Sequence, residues 1–443
     1  MKDSGIEWIG MIPNDWDTSR VKYLATEKDS LFIDGDWIES DVIVESGIRY
    51  LTTGNVGPGY YKEQGSGYIS YETFKKLNCL KVLPNDLMIS RLNEPIGRAC
   101  IVPYTEPYYV VAVDNVILRP DGKYDKKYIM YCMNTDGYAE AGREAARGAT
   151  MQRVSRSLLG GFFVPIAPLP EQKLIVDFLD DKVGQIDEIL SYLNKQVEIL
   201  NQYKKSLITE TVTKGLNPNV TMKDTGIDWF GKIPENWVVK RLKYVISGIT
   251  DGTHGTFDRV NEGELLLSAK NVFEDGLHIG NNESYISESD YKSIIANGYP
   301  KKGDVLLCCV GTVGRSTVYQ YDKPIAFQRS VIFLRNNELI LPEMINYCLQ
   351  TDGVLVQEKI LINKSAQDGL YQGAVKELYL VFPLDKEIQK EIIEFLDKKC
   401  CEIDYAIAGK QQQIKRIEKF KKSLIYEYVT GKKRVWGGLI DKK

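Results

Sequence analysis

The sequence predicts an α+β fold with two mixed α/β domains and two long antiparallel coiled-coil helices, arranged as an internal repeat with pseudo-two-fold symmetry. Three observations carry this prediction. One block of sequence occurs twice, two glycine-poor stretches have coiled-coil spacing, and the stretches between them contain many glycines, tyrosines and short β-branched runs. At 443 residues the chain is also too long for one ordinary domain.

The composition is that of a globular protein, with 43% hydrophobic and 26% charged residues. Lys and Arg number 57 against 60 Asp and Glu, so no overall basic charge indicates a nucleic-acid partner. The eight cysteines have neither disulfide-framework nor metal-knuckle spacing, and we expect a reducing, cytoplasmic location. No signal peptide or run of about 18 apolar residues is visible, so neither secretion nor membrane insertion is expected.

The repeat is clearest near the beginning of each half. Residues 3–24 align without gaps on residues 224–245, with 11 of 22 positions identical. FLDDKVGQID at 178–187 returns as FLDKKCCEID at 395–404, and YKKSLI at 203–208 returns as FKKSLI at 420–425. A period of this length is far longer than that of a solenoid repeat, so each copy is expected to be a domain plus a connector.

Between the shared blocks the two halves differ strongly. VVAVDNVILRP in the first half and DVLLCCVG and SVIFLR in the second predict strands, and a helical patch is predicted from Lys127 to Tyr138. Some landmarks stay in step, such as Gly97-Arg98 with Gly314-Arg315 and Tyr131-Cys132 with Tyr347-Cys348. The two variable parts are therefore expected to share one mixed fold.

The connectors are predicted to be long helices, because apolar residues recur in them at spacings of four and three. About 42 helical residues would span roughly 63 Å, which suits a spacer. The two apolar stripes match in phase, and a chain that leaves along one helix and returns along the other favours antiparallel packing. The predicted helix-packing residues are Ile186, Leu190, Leu193, Val197, Leu200, Leu207, Ile403, Ile407, Ile414, Ile417 and Leu424.

These observations divide the chain into five segments. The predicted limits are 1–168 for the first domain with its shared N-terminal segment, 169–216 for the central helix and 217–385 for the second domain. Residues 386–432 form the C-terminal helix and 433–443 a tail.

The sequence contains no motif that requires an enzyme. No Gly-Lys pair is followed by Ser or Thr, which excludes a Walker-type phosphate loop. His254 and His278 are the only histidines and leave few candidates for a metal cluster or a Ser-His-Asp triad, and a solvated turn is the better interpretation of each. Asn93-Glu94-Pro95-Ile96 lacks the second Pro and the aromatic of an amino-methyltransferase tetrad. We therefore expect no catalytic residue and no metal ligand.

Local positive charge offers a possible binding surface. Residues 142–157 carry four arginines against one glutamate, and Arg and Gln side chains can pair with guanine and adenine edges. A solvated helix end explains the same composition equally well. The matching stretch of the second half, residues 363–373, is far less basic, so the two halves are expected to have different targets. Trp8, Trp16, Trp229 and Trp237 lie in the shared blocks and are assigned to packing rather than to base stacking.

The alternation of divergent domains with near-identical connectors resembles a known family. GIEWIGMIPNDW repeated as GIDWFGKIPENW, PLPEQKLIVDFLD after Gly148-Ala149-Thr150-Met151-Gln152, and YKKSLI repeated as FKKSLI are similar to the specificity subunits of type I restriction-modification systems. The resemblance covers essentially the whole chain. The second half departs from it, with PLDKEIQKEII for PLPEQKLIV and no Gly-Ala-Thr-x-Gln run, although Gln389 still aligns with Gln172.

The resemblance implies two target recognition domains, each reading one half of a bipartite sequence in double-stranded DNA. It implies a non-catalytic chain that docks two methyltransferase subunits and two motor-nuclease subunits, to which S-adenosylmethionine, ATP and Mg²⁺ would belong. Charge and loop position then suggest these DNA contacts: Arg91, Arg98, Arg143, Arg147, Thr150, Gln152, Arg153, Lys270, Asn271, Arg315 and Arg329.

Two other functions are compatible with a duplicated chain. The first is a tandem carbohydrate- or protein-binding adaptor held on a coiled-coil rod, without a role on DNA. The second is a hydrolase with duplicated active sites, which predicts acidic or nucleophilic residues shared by both halves. The shared positions outside the connectors are mostly Gly, Asn, Tyr and Arg, which do not favour it.

Overall fold

The computed structural model describes residues 1–65, 67–146, 152–363 and 369–435. It divides into two compact units. Unit 1 consists of residues 1–193 with the chain from 412 onward, and unit 2 of residues 194–411. Each unit therefore combines one mixed domain with a segment of both long helices, whereas the five segments proposed from the sequence divide the chain at the helix ends and stay a prediction.

The centre of unit 1 is a four-stranded antiparallel sheet in which Asn115–Arg119 lies between Leu31–Asp34 and Leu87–Ser90, with Ala99–Ile101 at the edge. All four residues of Leu87–Ser90 are buried. Alternate residues of this strand enter different apolar clusters, because successive side chains of a strand point to opposite faces. A strand that is buried on both faces has a continuous run of apolar residues in its sequence, and DVLLCCVG in the second half is such a run.

The other strands of unit 1 form a second four-stranded sheet and two small pairs. The second sheet includes a parallel pair between Val110–Val111 and Ile48–Leu51. Its remaining strands are Tyr68–Ile69 and Ile43–Val44, and the small pairs are Lys2–Asp3 with Met11–Ile12 and Asp17–Arg20 with Phe163–Ile166. The α-helices of the domain are Tyr71–Lys76, Lys126–Met133, Asp136–Ala145 and Arg156–Gly161, and the 3₁₀ helices are Val21–Leu24, Ser40–Val42 and Thr53–Asn55.

Unit 2 repeats this plan. Its central sheet has the order Ile246–Asp251, Val331–Asn336, Val305–Cys308, Ser316–Val318, and Glu264–Leu267 pairs in parallel with Ala326–Phe327. The other strands are Met222–Asp224, Lys232–Pro234, Trp237–Arg241, Val272–Phe273, Gly276–Leu277, Tyr285–Ile286 and Tyr379–Pro383. The helices are Glu288–Asn297, Pro342–Leu349, Asp352–Asn363 and Gln372–Lys376, with 3₁₀ turns at Leu242–Tyr244 and Ala269–Asn271.

The predicted fold class is confirmed, with mixed α/β domains and two long helices. The central helix is Leu169–Lys214 and the C-terminal helix is Lys386–Val429. The predicted helical patch at 127–138 is two helices rather than one. They are separated at Asn134 and Thr135, where the Thr135 hydroxyl caps the second helix by accepting from the Tyr138 N–H.

The two long helices pair antiparallel within each unit. In unit 1, the Phe178 ring packs against the Tyr428 ring at an angle of 38° and Asp187 binds Lys421, so the sequence numbers run in opposite directions. In unit 2, the Lys204 Nζ lies 2.9 Å from Asp404 and the Lys410 Nζ donates to Gln196. Lys204 and Lys421 occupy the same place in the repeat, so an equivalent ion pair recurs in each unit.

Each domain is also tied to its own long-helix segment by matched buried amides. The Gln172 amide accepts from the Asp125 N–H and donates to the Ala167 carbonyl. The Gln389 amide accepts from the Leu341 N–H and donates to the Pro383 carbonyl. Both side chains are fully buried, so removing either would leave buried backbone groups without partners.

The residues predicted to pack the helices lie on their less exposed faces. Ile186 and Leu424 are buried in the unit 1 core, with Leu190 and Ile417 packed at its margin. Ile403 and Ile407 are buried as well, and Leu207 packs against the unit 2 core. Leu193, Val197, Leu200 and Ile414 are partly buried.

One of the two shared tryptophans of each unit supports its connector. Trp16 is buried and its indole N–H donates to Glu171 at 2.9 Å. Trp237 is buried beside Gly215, whose backbone has positive φ directly after the central helix. All eight cysteines are free thiols. Among the described residues, no helix is long and apolar enough to cross a membrane, and no group of His, Cys, Asp or Glu is arranged to hold a metal.

Glu358 is an unusual buried acid in unit 2. It lies on the helix Asp352–Asn363 with 3% of its surface exposed, and its Oε1 has no hydrogen-bond partner among the described residues. Burial raises the pKa of Glu358 from 4.5 to about 7. Since the folded state binds the proton more tightly than the unfolded state, the contribution of Glu358 to stability is fully present below pH 4.5 and is lost as the pH rises through 7.

We expect the Glu358→Gln variant to lose this pH dependence, because the neutral amide needs no proton. Relative to the unsubstituted chain, the variant should gain on the order of 3 kcal/mol of unfolding free energy at pH 8 and little at pH 5. Urea unfolding at both pH values measures the difference, with the exposed Glu262→Gln as the matched control. An equal difference between variant and parent at the two pH values would contradict the assignment.

Candidate nucleic-acid interface

The two units can be compared residue by residue because the same backbone hydrogen bonds recur in both. The Val154 N–H donates to the Arg91 carbonyl at 3.1 Å, and the Leu370 N–H donates to the Cys309 carbonyl at 2.8 Å. The Arg91 and Cys309 N–H groups each donate at 2.9 Å, to Asp114 and Ser330 respectively. Arg91 therefore corresponds to Cys309, Asp114 to Ser330, and Arg153 to Gly369.

Unit 1 carries a charged cluster where its central sheet meets the segment 152–156. The Arg91 Nε lies 3.2 Å from Asp34, and the Arg156 Nη1 lies 3.5 Å from the other oxygen of the same carboxylate. The Arg153 Nη2 lies 2.8 Å from Asp114. We call these five residues the unit 1 cluster. Three arginines against two aspartates leave it with one excess positive charge.

Arg91 is the buried centre of the unit 1 cluster. It is 5% exposed, and it donates to the carbonyls of Val154 and Val113 at 3.1 and 2.6 Å. Burial lowers the pKa of Arg91, and the neighbouring Asp34 and Asp114 carboxylates oppose that shift. Because its donors are used within the protein, Arg91 supports the surface while Arg153 and Arg156, both partly exposed, form it.

Some buried polar atoms beside the unit 1 cluster have few partners. Asp34 Oδ1, Arg91 Nε and Asp114 Oδ1 are paired only through the ion pairs above, and Gln152 Oε1 is buried without a hydrogen-bond partner within the described chain. Both side-chain polar atoms of Asn115, next to Asp114, are also buried without a hydrogen-bond partner within the described chain. Native proteins pair nearly all buried polar groups, so Gln152 Oε1 and the Asn115 amide are positions where a water molecule or a ligand would supply the partner.

Unit 2 has a different cluster at the same position. The Gln372 Nε2 donates to Asp251 Oδ1 at 2.9 Å, and the His254 Nε2 lies 2.7 Å from Asp251 Oδ2. The Cys309 thiol donates to the carbonyl of Arg329, whose side chain is exposed. We call these five residues the unit 2 cluster. Burial raises the pKa of Cys309 to about 11, so its thiol is protonated at neutral pH and is not a nucleophile.

Other residues suggested as DNA contacts are used inside the protein. Arg98 is buried and donates to the carbonyls of Val56 and Asn93 at 2.7 and 2.8 Å. Its counterpart Arg315 donates to the Val272 carbonyl and lies over a neighbouring ring. Asn271 is buried in a capping box with Ser268. These residues, which the two halves share, thus use their side chains to stabilise loops of the protein rather than to bind a ligand.

The remaining suggested contacts are spread over the surface or fall elsewhere. Arg143 is partly exposed and ion-paired with Glu94 and Glu140. Lys270 lies 3.0 Å from Glu283. Arg147 and Thr150 lie outside the described residues. The structure therefore brings together Arg91, Gln152 and Arg153, and separately places Arg329 in the unit 2 cluster.

Sequence reasoning missed the carboxylates that organise both clusters. The sequence pattern that could have identified them is Asp34-Gly35, which recurs as Asp251-Gly252. The glycine is required at both places, since a Cβ on Gly35 would lie 2.4 Å from the Ala112 carbonyl oxygen and one on Gly252 would lie 2.3 Å from that of Gln328. Arg156 belonged to the basic stretch 142–157 but was not among the suggested contacts, and Gln372 was missed, because only the paired carboxylate distinguishes each from a solvated side chain.

Comparison with known proteins gives consistent similarities. No protein-family model matches the chain. The chain is 25% identical over 441 residues to the type I restriction enzyme MjaVIII specificity subunit of Methanocaldococcus jannaschii, covering 96% of this chain and 94% of that protein. It is 22% identical over 321 residues to the EcoBI specificity subunit of Escherichia coli, covering 70% and 66%.

A solved chain from a study of complex assembly in the type I restriction-modification system has the same fold. It matches with a TM-score of 0.67 at 14% identity, over 95% of this chain and 98% of that one.

Proposed function

We propose that this chain, which belongs to the family of type I restriction enzyme specificity subunits, reads a bipartite DNA sequence with one domain per half-site. The observation that carries the proposal is the pair of clusters. One scaffold position holds Arg91, Asp114, Arg153 and Arg156 in unit 1 but Cys309, Ser330, Gly369 and Gln372 in unit 2. Equivalent surfaces with different side chains suit two different half-sites.

The chemistry of the clusters favours DNA. In the free protein, Asp34 and Asp114 neutralise two of the three arginines of the unit 1 cluster. Partly exposed arginines offer donors both to phosphates and to guanine edges in the major groove, and such base contacts contribute about 1–3 kcal/mol of discrimination. Sequence between the half-sites would go unread. The chain itself would perform no turnover, and S-adenosylmethionine, ATP and Mg²⁺ would serve the partner subunits.

The long helices would dock two methyltransferase subunits, and two motor-nuclease subunits would complete the complex. Tyr203 is 55% exposed on the central helix in unit 2, and its repeat counterpart Phe420 is 58% exposed on the C-terminal helix in unit 1. Ile189, Tyr192 and Ile199 are also exposed on the central helix. Large apolar side chains on a helix surface are typical of an interface, and equivalent aromatics would give each unit one docking site.

The free cysteines agree with the reducing cytoplasm proposed for the complex, since a disulfide would be expected more often in an oxidising compartment.

We expect co-expression with a candidate type I methyltransferase subunit from the same genome to produce methylated adenines in a split motif of host DNA. Single-molecule sequencing of the modified DNA identifies both half-sites and the spacer between them. Each protein expressed alone should give no motif. Copurification of the two proteins without any methylated motif would contradict the DNA-reading role, provided that a known specificity subunit activates the same methyltransferase.

The docking surfaces can be tested separately by Tyr203→Ser and Phe420→Ser. Each single variant should reduce the copurified methyltransferase from two subunits to one, because the aromatic contact of one site is lost, and the double variant should retain neither. Mass photometry of the purified complex counts the subunits. Tyr104→Ser, at an exposed tyrosine outside the long helices, is the control. A double variant that still carries two methyltransferase subunits would show that docking lies elsewhere.

A further inference from the structure

Asp34 and Asp251 occupy the same position in the two units. Asp34 pairs with Val116 at the end of its strand, and Asp251 pairs with Ile332 at the end of its own. The next residue repeats the match, since the Gly35 N–H donates to the Asn115 carbonyl at 2.9 Å and the Gly252 N–H to the Val331 carbonyl at 3.0 Å. Around these two aspartates, four other residues of the site have diverged.

The aspartate of each unit contacts the first residue of an equivalent short helix. Arg156 begins the helix Arg156–Gly161, and Gln372 begins the helix Gln372–Lys376. The distances are 3.5 Å from the Arg156 Nη1 to Asp34 Oδ2 and 2.9 Å from the Gln372 Nε2 to Asp251 Oδ1. One retained carboxylate therefore contacts two different side chains at the same place, Arg156 through an ion pair and Gln372 through a hydrogen bond.

We propose that Asp34 and Asp251 are positioning residues that present Arg156 to a guanine in one half-site and Gln372 to an adenine in the other. The inference rests on the proposed DNA-reading function and names the residues that carry it. Both presenting side chains are partly exposed, so a base edge can reach them.

The donor chemistry supports this division. A guanidinium held by one carboxylate keeps further N–H groups for the O6 and N7 acceptors of guanine. The Gln372 amide has two N–H donors, and Asp251 uses one of them. The second N–H and the Oε1 acceptor match the N7 acceptor and N6 donor of adenine.

A carboxylate support also reduces the entropy lost on binding. A free Arg or Gln side chain loses rotamer freedom when it is fixed. Contact with the aspartate restricts the side chain before DNA arrives, as in other preorganised sites. The residues next to Arg156 and Gln372 differ in charge in the same way as these two side chains do. Arg91 and Arg153 of unit 1 correspond to the uncharged Cys309 and Gly369 of unit 2.

The test uses the complex of the full chain with its methyltransferase. Competition binding measures its affinity for duplexes that carry each of the four bases at every position of both half-sites. We expect Arg156→Gln to lose about 10- to 100-fold of discrimination for guanine at one position of the first half-site, with the second half-site unchanged. Gln372→Arg should exchange an adenine preference for guanine at one position of the second half-site.

The positioning role is tested by Asp34→Asn and Asp251→Asn. Each substitution keeps the shape of the side chain but removes its negative charge, which weakens its contact with Arg156 or Gln372. Each should reduce discrimination at the same single position that its reader variant identifies. Arg20→Gln and Gln320→Arg, at exposed residues that belong to neither cluster, are the matched controls. Thermal unfolding and copurification with the methyltransferase establish that each variant is folded.

The outcomes separate this inference from the function on which it rests. If the unsubstituted complex selects no sequence at all, the DNA-reading function is wrong. If it selects a split sequence but Arg156→Gln and Gln372→Arg keep every base preference, the function stands and the assignment of the readers is overturned. If the reader variants act as expected but the aspartate variants leave discrimination unchanged, Asp34 and Asp251 are not positioning residues.

Discussion

Each unit depends on two antiparallel helix segments, one from the central helix and one from the C-terminal helix. Unit 1 is completed by residues after 411, and unit 2 draws its helices from 194–214 and 386–411. The Lys421–Asp187 and Lys204–Asp404 ion pairs recur at equivalent positions in the two helix pairs. Each lysine lies in the apolar stripe of its helix and each aspartate is half-exposed on the facing helix, so a shift of register by one turn would separate the two charges. The mixed domains are then attached to these segments by Gln172 and Gln389.

This shared support explains which positions of the repeat stay alike and which diverge. Trp16 and Trp237, Arg98 and Arg315, and the capping boxes at Asn55 and Asn271 all hold backbone or core in place. The side chains that diverge lie where the central sheet of each unit meets its short helix. Only the aspartate and the glycine after it are kept there. Two different half-sites require a constant scaffold and different side chains at this junction of sheet and helix.

The sequence was a good guide to the fold for a physical reason. Apolar residues at spacings of three and four predict a helix whichever domain it supports, and the duplicated blocks doubled the evidence. Candidate contacts were harder to predict, because positive charge does not reveal burial. Arg91 and Arg98 were chosen for their charge, yet their guanidinium groups bind carbonyls inside unit 1. Asp34 has no such charge signal in the sequence, because its partners Arg91 and Arg156 lie far from it along the chain.

The central claim is that each domain reads its half-site independently on a common support. The most direct measurement uses a chain in which residues 246–383 are replaced by residues 25–168, assembled with the methyltransferase in cells, followed by mapping of methylated adenines. The account predicts a motif that contains the first half-site twice and no trace of the second. A folded complex that still methylates the second half-site would contradict it, since reading would then depend on residues outside the exchanged domain.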